Sequence, residues 1–204
     1  MLGKTDLLEA IAATNRGLLV SKTDQQSIQA LAARLEDRTP TPHPLEAKEQ
    51  LEGIWQLLYT TSQELLGIDR TPLYRLGQIY QCIYVAEQRI YNIAEVVGLP
   101  YLEGLVSVAA RFEAVSQKRV NVGFERGVLG FQRILGYKTP KAFLQTLQMQ
   151  EKLPLWQGID FRINRDRQSG WLEVTYLDDD LRIGRGNQGS LFVLRKVTYG
   201  EVEG

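Results

Sequence analysis

The chain has 204 residues and balances 24 lysines and arginines against 24 aspartates and glutamates. A groove for duplex nucleic acid normally needs a net basic face, so this balance argues against one. With 44% hydrophobic residues, 24% charged residues and a mean hydropathy of -0.22, the composition disfavours both a disordered chain and an integral membrane protein.

Cys82 is the sole cysteine and His43 the sole histidine, which excludes an internal disulfide and a metal site built on paired histidines. The first residues lack the apolar core of a secretory signal and the acid-poor character of a transit peptide. No stretch approaches the roughly 20 apolar residues of a spanning helix. We therefore expect a soluble protein of a reducing compartment, without a signal or transit peptide.

Two helices are predicted at the start of the chain. Apolar residues at helical spacing indicate the first over residues 6–16, with Gly17 as its C-terminal stop. Thr23 and Gln26 form a capping-box pattern for the second, which we expect to end near Asp37.

A proline-rich connector follows at residues 39–45, where His43 is expected to be a solvated loop residue. We assign residues 1–45 to a helical segment and connector that packs on the main domain. Residues 46–204 form that domain, which opens with a short helical run near residues 45–51.

The apolar pattern then changes to alternation, which indicates strands. Nine are predicted, over residues 53–62, 78–85, 89–97, 105–115, 118–125, 159–164, 171–177, 181–183 and 190–197. Turn residues between the last of them favour antiparallel hairpins. The chain is therefore predicted to be mainly β with N-terminal helices, and its strands to form an antiparallel barrel of about eight or nine strands or a strongly curved sheet.

One helix near residues 140–151 interrupts the strands. Thr139 is a suitable N-cap, proline follows at the first helical position, and Phe143, Leu144 and Leu147 supply an apolar face. Its place between two strands leaves two alternatives open. It is a plug or lid over a barrel mouth, or it packs on the outside of the sheet.

Alternation over residues 105–115 indicates one buried face, because the even positions are apolar while the odd ones include Ser107, Arg111 and Glu113. Small residues on the even face favour a cavity for an apolar ligand, unless they merely match large residues across the lumen. The candidate cavity residues are Trp55, Leu57, Tyr59, Val106, Val108, Ala110, Phe112, Leu191 and Val193.

Two motifs invite a chemical interpretation that their context refutes. Residues 184–189 match G-x-G-x-x-G, but a strand follows them instead of the helix that a dinucleotide site requires, so we interpret them as a hairpin loop. Three consecutive carboxylates at residues 178–180 lack the alternating spacing of a calcium loop. We expect them to cap a turn and to pair with Arg182 or Arg185, and we expect no metal or cofactor.

Gly53 and Trp55 form a G-x-W pattern on the first strand, and Arg195 lies on the last. A closed barrel makes these strands neighbours, so we expect the arginine to lie across the indole in a cation–π contact worth about 1 kcal/mol. Together with the hairpins, this pattern resembles the structural signature of the lipocalin fold.

Three stretches resemble the plastid-lipid-associated protein family, or fibrillins, of plastids and cyanobacteria. They are LLEAI with TNRGL at residues 7–18, LEGIWQLLYTTS at 51–62, and YLDDDLRIGRG continuing to GSLFVL at 176–194. The structural signature residues are Gly53, Trp55, Asp178, Asp179, Asp180, Arg182, Gly184, Gly186 and Arg195.

The resemblance implies a lipocalin-like barrel that binds, carries or sequesters a hydrophobic small molecule without catalysis. A prenylquinone, a carotenoid or an acyl lipid is the implied ligand, and photosynthetic membranes and photoprotection are the implied setting. Without a transit peptide, the chain is expected to be a cyanobacterial-type member, cytoplasmic or peripheral to the thylakoid on its cytoplasmic side. The alternative is a scaffold that docks on a membrane-edge enzyme such as a prenyl synthase, or on a photosynthetic complex, through its helices and residues 131–137.

Overall fold

The computed structural model describes residues 3–67, 75–98, 100–164 and 169–198. Within these residues one antiparallel sheet contains nine strands: β1 (Gly53–Thr60), β2 (Arg75–Tyr84), β3 (Arg89–Val97), β4 (Gly104–Ala114), β5 (Arg119–Phe131), β6 (Ile159–Arg162), β7 (Ser169–Leu177), β8 (Leu181–Gly186) and β9 (Leu191–Lys196). Their order is β4-β3-β2-β1-β9-β8-β7-β5-β6, and β4 also pairs with β5. Eight strands therefore close into a barrel, as predicted, and β6 is an additional strand outside it on β5.

The described helices are α1 (Lys4–Ala12), α2 (Lys22–Glu36), α3 (Lys48–Leu51), α4 (Gln63–Leu66), α5 (Gln132–Leu135) and α6 (Pro140–Met149). The N-cap of α6 is Thr139, whose hydroxyl accepts the Ala142 N–H at 3.2 Å, as predicted. The N-cap of α2 is Ser21, which accepts the Asp24 N–H at 3.1 Å, so the capping box expected at Thr23 is wrong by two residues.

Alternation along the strands divides the core into three layers, because successive side chains point to opposite faces of a sheet. The lumen of the barrel is filled by inward residues: Leu51, Trp55, Leu57, Leu76, Ile79, Ile83, Ile90, Ala94, Val174, Leu177 and Leu194. Two further layers lie between the outer face of the barrel and the helices.

The first outer layer lies under α1 and α2. Leu7 and Ile28 are fully buried there against outward residues of β7, β8, β9 and the end of β1. Arg185 of β8 donates two hydrogen bonds of 2.8 Å to the carboxylate of Glu36, which fixes the end of α2 to the sheet.

The second outer layer lies under α5 and α6. Phe143, Leu144 and Leu147 of α6 pack against outward residues of the barrel such as Ile93 and Leu105. Of the two alternatives for this helix, the structure therefore has the one on the outside of the sheet, and α6 does not plug the barrel.

Residues 45–51 cover the barrel mouth where β1 begins and β9 ends, and we call them the plug. Leu51 is 3% exposed within the lumen cluster, and Leu45 packs against the same cluster. The Leu45 N–H also donates to the Gln117 carbonyl at 3.3 Å. The end of the connector and the short helix after it thus close one mouth of the barrel, which their sequence did not indicate.

The turn after α1 runs close to the end of β1. Gly17 has φ +104°, and a Cβ at this position would lie 2.3 Å from the Thr60 carbonyl oxygen. The helix ends earlier, at Ala12, so the prediction of Gly17 as its C-terminal stop is wrong. Glycine is required here by the close approach of two backbones.

The three carboxylates at residues 178–180 form the β7–β8 turn, as predicted, but their cationic partner is different. Lys4 of α1 pairs with Asp178 at 2.8 Å and with Asp180. Arg185 points outward to Glu36, whereas Arg182 points into the barrel, so neither pairs with the turn.

Asp178 is the best-partnered of the three carboxylates. It accepts hydrogen bonds from Lys4, from the Tyr176 hydroxyl at 2.6 Å and from the backbone N–H groups of Leu181 and Asp180. Burial alone would raise the pKa of Asp178, but these bonds lower it to about 2.

We expect Asp178→Asn to lower the free energy of unfolding by about 2 kcal/mol at pH 7, because the folded pKa lies below the ordinary value of 3.8. This contribution is present above about pH 4 and is lost as the pH falls towards 2. Urea titrations between pH 7 and pH 2 measure the difference between the variant and the wild type. The matched control is Asp179→Asn, since Asp179 is exposed and accepts one bond from Gln50 at 3.2 Å. Equal effects of the two variants on the free energy of unfolding would contradict the stabilising role given to the Asp178 carboxylate.

Candidate functional site

The Trp55 indole lies at the plugged mouth with two cations over its ring. The Arg182 guanidinium carbon is 4.9 Å and the Lys196 Nζ 5.4 Å from the ring centroid. We predicted Arg195 for this contact, and that prediction is wrong. In the β1–β9 register Trp55 faces Lys196 while Arg195 faces Gln56, so Arg195 points outward and bonds to Gln56 at 3.2 Å.

Gly53 and β8 explain how this mouth is built. Gly53 begins β1 with φ +124°, a conformation that favours glycine, and places Trp55 two residues along the strand with its ring inside. On β8, Leu181 and Ile183 point outward into the layer under α1 and α2, so Arg182 between them points inward.

Arg182 is 1% exposed and its charged group lies in the lumen. Its Nη2 donates to Gln81, which in turn donates to the Asn92 side-chain oxygen at 3.0 Å. Its Nη1 has no hydrogen-bond partner among the described residues. Burial lowers the pKa of Arg182 to about 9, so its guanidinium is still charged at neutral pH. A charged group with one unsatisfied nitrogen is therefore buried in the lumen.

The other donors at this mouth bond to the plug. The Trp55 Nε1 donates to the Leu51 carbonyl at 3.0 Å. Lys196 Nζ donates to the carbonyls of Gln50 at 2.7 Å and Glu49 at 3.2 Å. Backbone carbonyls of the plug therefore occupy these donors and hold the mouth closed.

The nine candidate cavity residues do not share one face. Trp55, Leu57, Val106 and Phe112 pack in the lumen, and Val108 and Ala110 face it opposite Asn92 and Ile90. In contrast, Tyr59, Leu191 and Val193 lie outside the barrel under α1 and α2. A β-bulge between Leu57 and Tyr59 inserts one residue and turns Tyr59 outward, while Leu191 and Val193 are the outward residues of β9.

The lumen is packed in this structure. A void of about 20 Å³ remains near the mouth, about the size of one water molecule, lined by Leu45, Leu51, Ile83, Ile90, Phe112, Val120, Leu172, Val174 and Arg182. A larger hollow of about 270 Å³ lies outside, along α1 and α2, and has no contact with the barrel interior.

The single cysteine is not placed for catalysis. Cys82 is 1% exposed in the layer under α6, and burial raises the pKa of its thiol to about 12, so it is protonated at neutral pH. Among the described residues, no group of three or more histidine, cysteine, aspartate or glutamate side chains is positioned to hold a metal ion.

The exterior carries a second candidate site. Apart from Val115 in the β4–β5 turn, ten exposed large apolar side chains fall within residues 101–161, and we call them the apolar face: Tyr101, Leu102, Leu129, Phe131, Ile134, Met149, Leu155, Trp156, Ile159 and Phe161. Sequence reasoning identified only the part near residues 131–137, because exposure of an apolar residue in a loop leaves no periodic signal.

Strand pairing brings much of the apolar face together. Leu129 of β5 pairs with Ile159 of β6 and with Val106 of β4, whose side chain faces the lumen, so these residues lie on the inner side of the sheet at the mouth opposite the plug. Phe131 pairs with Gly104 beside the loop that carries Leu102. In that loop, the ring of Tyr101 lies 5.3 Å from the guanidinium of Arg133 on α5. The face therefore lies along β5, β6 and the loops at their ends.

The helices of the described residues are all too short or too polar to span a membrane.

Comparison with known proteins identifies a common family. The sequence model of the PAP_fibrillin family matches residues 1–195. The chain is 34% identical to the chromoplast-specific carotenoid-associated protein of Cucumis sativus, 33% to the chloroplastic light-induced protein of Solanum tuberosum and 32% to the probable plastid-lipid-associated protein 2 of Arabidopsis thaliana. These matches cover 95% of this chain and 67%, 66% and 70% of the three relatives, so the chain spans about two thirds of their length. No solved structure shows a significant match.

We expect Leu57→Ala to lower the free energy of unfolding by about 2–4 kcal/mol, because Leu57 is 3% exposed in a packed lumen and its truncation leaves a cavity. Chemical denaturation measures the change, with Leu19→Ala as the control, since Leu19 is 73% exposed. A cost near that of the control would mean that the lumen is an open cavity in solution.

Proposed function

Because this chain belongs to the PAP_fibrillin family, we propose that it is a non-enzymatic protein that associates with lipid surfaces through its apolar face. The observation that carries the proposal is the exposure of large apolar side chains there, which reaches 86% at Met149, 85% at Leu155 and 72% at Trp156. Clusters of this kind are uncommon on a protein that remains free in water, and they mark surfaces that another apolar body covers.

The chemistry of the face favours a lipid surface. Trp156 and Tyr101 combine an apolar ring with a polar group, which suits the boundary between acyl chains and headgroups. Arg133, stacked beside Tyr101, can reach the headgroups while its stem lies on apolar surface. Because apolar burial supplies the attraction and the chain has no net charge, we expect binding to respond little to salt.

The names of relatives agree with this proposal. The Arabidopsis thaliana protein is named as plastid-lipid-associated and the Cucumis sativus protein as carotenoid-associated. We infer a peripheral position for this chain on a photosynthetic membrane or on a lipid body derived from one.

Carriage of a prenylquinone, a carotenoid or an acyl lipid inside the barrel is a second candidate function. It requires the lumen to open, because the void of about 20 Å³ is far smaller than any of these molecules. The observation that favours it is the unsatisfied Nη1 of Arg182, a polar group buried in an interior whose side chains are mostly apolar.

Flotation with phosphatidylcholine vesicles tests the lipid-surface proposal. We expect the wild type to float with the vesicles at low and at high salt. The double variant Leu155→Ser with Trp156→Ser should partition at least about tenfold more weakly, because each Å² of apolar surface withdrawn from lipid costs roughly 25 cal/mol.

The matched control replaces two exposed apolar residues outside the face, Leu19→Ser and Val115→Ser, which are 73% and 52% exposed in the wild type. This control should float like the wild type. Equal loss in both double variants, or a wild type that floats only when membrane proteins are present, would contradict the proposal. The latter result would favour the scaffold function on a membrane-edge enzyme or photosynthetic complex.

A further inference from the structure

Two cations approach the Trp55 ring at the plugged mouth. In the described part of the chain neither Arg182 nor Lys196 belongs to an ion pair. Lys196 is satisfied by plug carbonyls, whereas Arg182 has the Gln81 side chain on one nitrogen and no partner on the other. Burial lowers the pKa of Lys196, and the nearby carboxylates of Asp179 and Glu52 oppose this change. Among the described residues, the donor that stays uncompensated at this mouth is therefore the Arg182 Nη1.

A purely structural role explains this arrangement poorly. Burying a guanidinium with one nitrogen unsatisfied opposes folding, and an apolar side chain of similar length in a packed interior is often neutral or stabilising. The contact with Trp55 offsets part of this cost, but it uses the face of the guanidinium and leaves Nη1 free.

We propose that the plugged mouth is a binding site for the acid group of a carboxylate-bearing amphiphile, with Arg182 as its counter-charge. A guanidinium matches a carboxylate in shape and charge. The surroundings select a ligand with an apolar chain, because the side chains that line the neighbouring void, such as Leu51 and Phe112, are apolar.

The plug defines how such a ligand enters. Its carbonyls occupy the Trp55 Nε1 and Lys196 Nζ, and a carboxylate that displaces them meets three donors instead of one. The segment is a four-residue helix after a proline-rich stretch, joined to the β4–β5 turn by the bond from the Leu45 N–H to the Gln117 carbonyl. Binding therefore requires this short segment to move and leaves the barrel strands in place.

The size of the plug sets the size of the ligand. The side chains of Leu45 and Leu51 that fill the mouth contain together about eight carbon atoms, so a medium-chain acid replaces their volume without repacking the rest of the lumen. Octanoate is the corresponding probe.

Isothermal titration calorimetry with three probes tests the site on the whole chain. Octanoate carries the acid and the apolar chain, octan-1-ol carries the chain alone, and acetate carries the acid alone. We expect the wild type to bind octanoate at least tenfold more tightly than either of the others. Equal affinity for octanoate and octan-1-ol, or no heat with octanoate at millimolar concentration, would overturn the proposal without any variant.

Two variants assign the site to Arg182. Arg182→Met should reduce octanoate affinity at least tenfold and leave the melting temperature unchanged or higher. Arg195→Met makes the same change on the outer face of the adjacent strand and should bind octanoate like the wild type. If Arg182→Met lowers the melting temperature and binds octanoate normally, Arg182 is a structural residue and the proposal fails.

This site is independent of the apolar face. Arg182→Met should still float with phosphatidylcholine vesicles, so failure of the acid site and failure of the lipid-surface proposal give different results.

Discussion

The pairing of β1 with β9 is the constraint on which the rest of the structure depends. It closes eight strands into a barrel and sets Trp55 opposite Lys196, so that every inward residue must share one small interior. An eight-stranded barrel is just wide enough for its own side chains, and here the described side chains leave a void of about 20 Å³ near the plugged mouth. Closure also leaves an outer surface much larger than the lumen, which α1, α2, α5 and α6 cover only in part.

The lumen is packed, whereas part of the apolar surface stays exposed, and this difference underlies our choice of the surface that we propose to bind lipid. Under α1 and α2, and under α6, apolar residues of the barrel are buried by helices. At the ends of β5 and β6 opposite the plug, and in the adjoining loops, apolar residues of the described chain stay exposed, and side chains as large as Trp156 remain in water. The lipid contact that we propose therefore uses the exposed apolar face, whereas the plugged mouth offers an unsatisfied cation.

Local patterns in the sequence predicted what depends on neighbouring residues. Alternation identified the even face of β4, Thr139 indicated the start of α6, and the glycine-rich run at residues 184–189 indicated a hairpin. The side of the sheet that a residue faces, and its partners from distant parts of the chain, were harder to predict. One inserted residue in β1 turns Tyr59 outward, and Arg182 rather than Arg195 covers Trp55, because a shift of one position moves a side chain to the other face. The plug was missed because a run of seven residues shows too little periodicity to predict what it covers.

Quenching of tryptophan emission by vesicles of phosphatidylcholine with brominated acyl chains tests the central claim most directly. The Trp171→Phe variant retains Trp55 and Trp156, and the double variant Trp156→Phe with Trp171→Phe retains Trp55 alone. If lipid meets the apolar face and not the packed lumen, brominated chains quench the first protein strongly and leave the emission of the second unchanged. Strong quenching of the protein that retains Trp55 alone would place acyl chains inside the barrel and contradict this account.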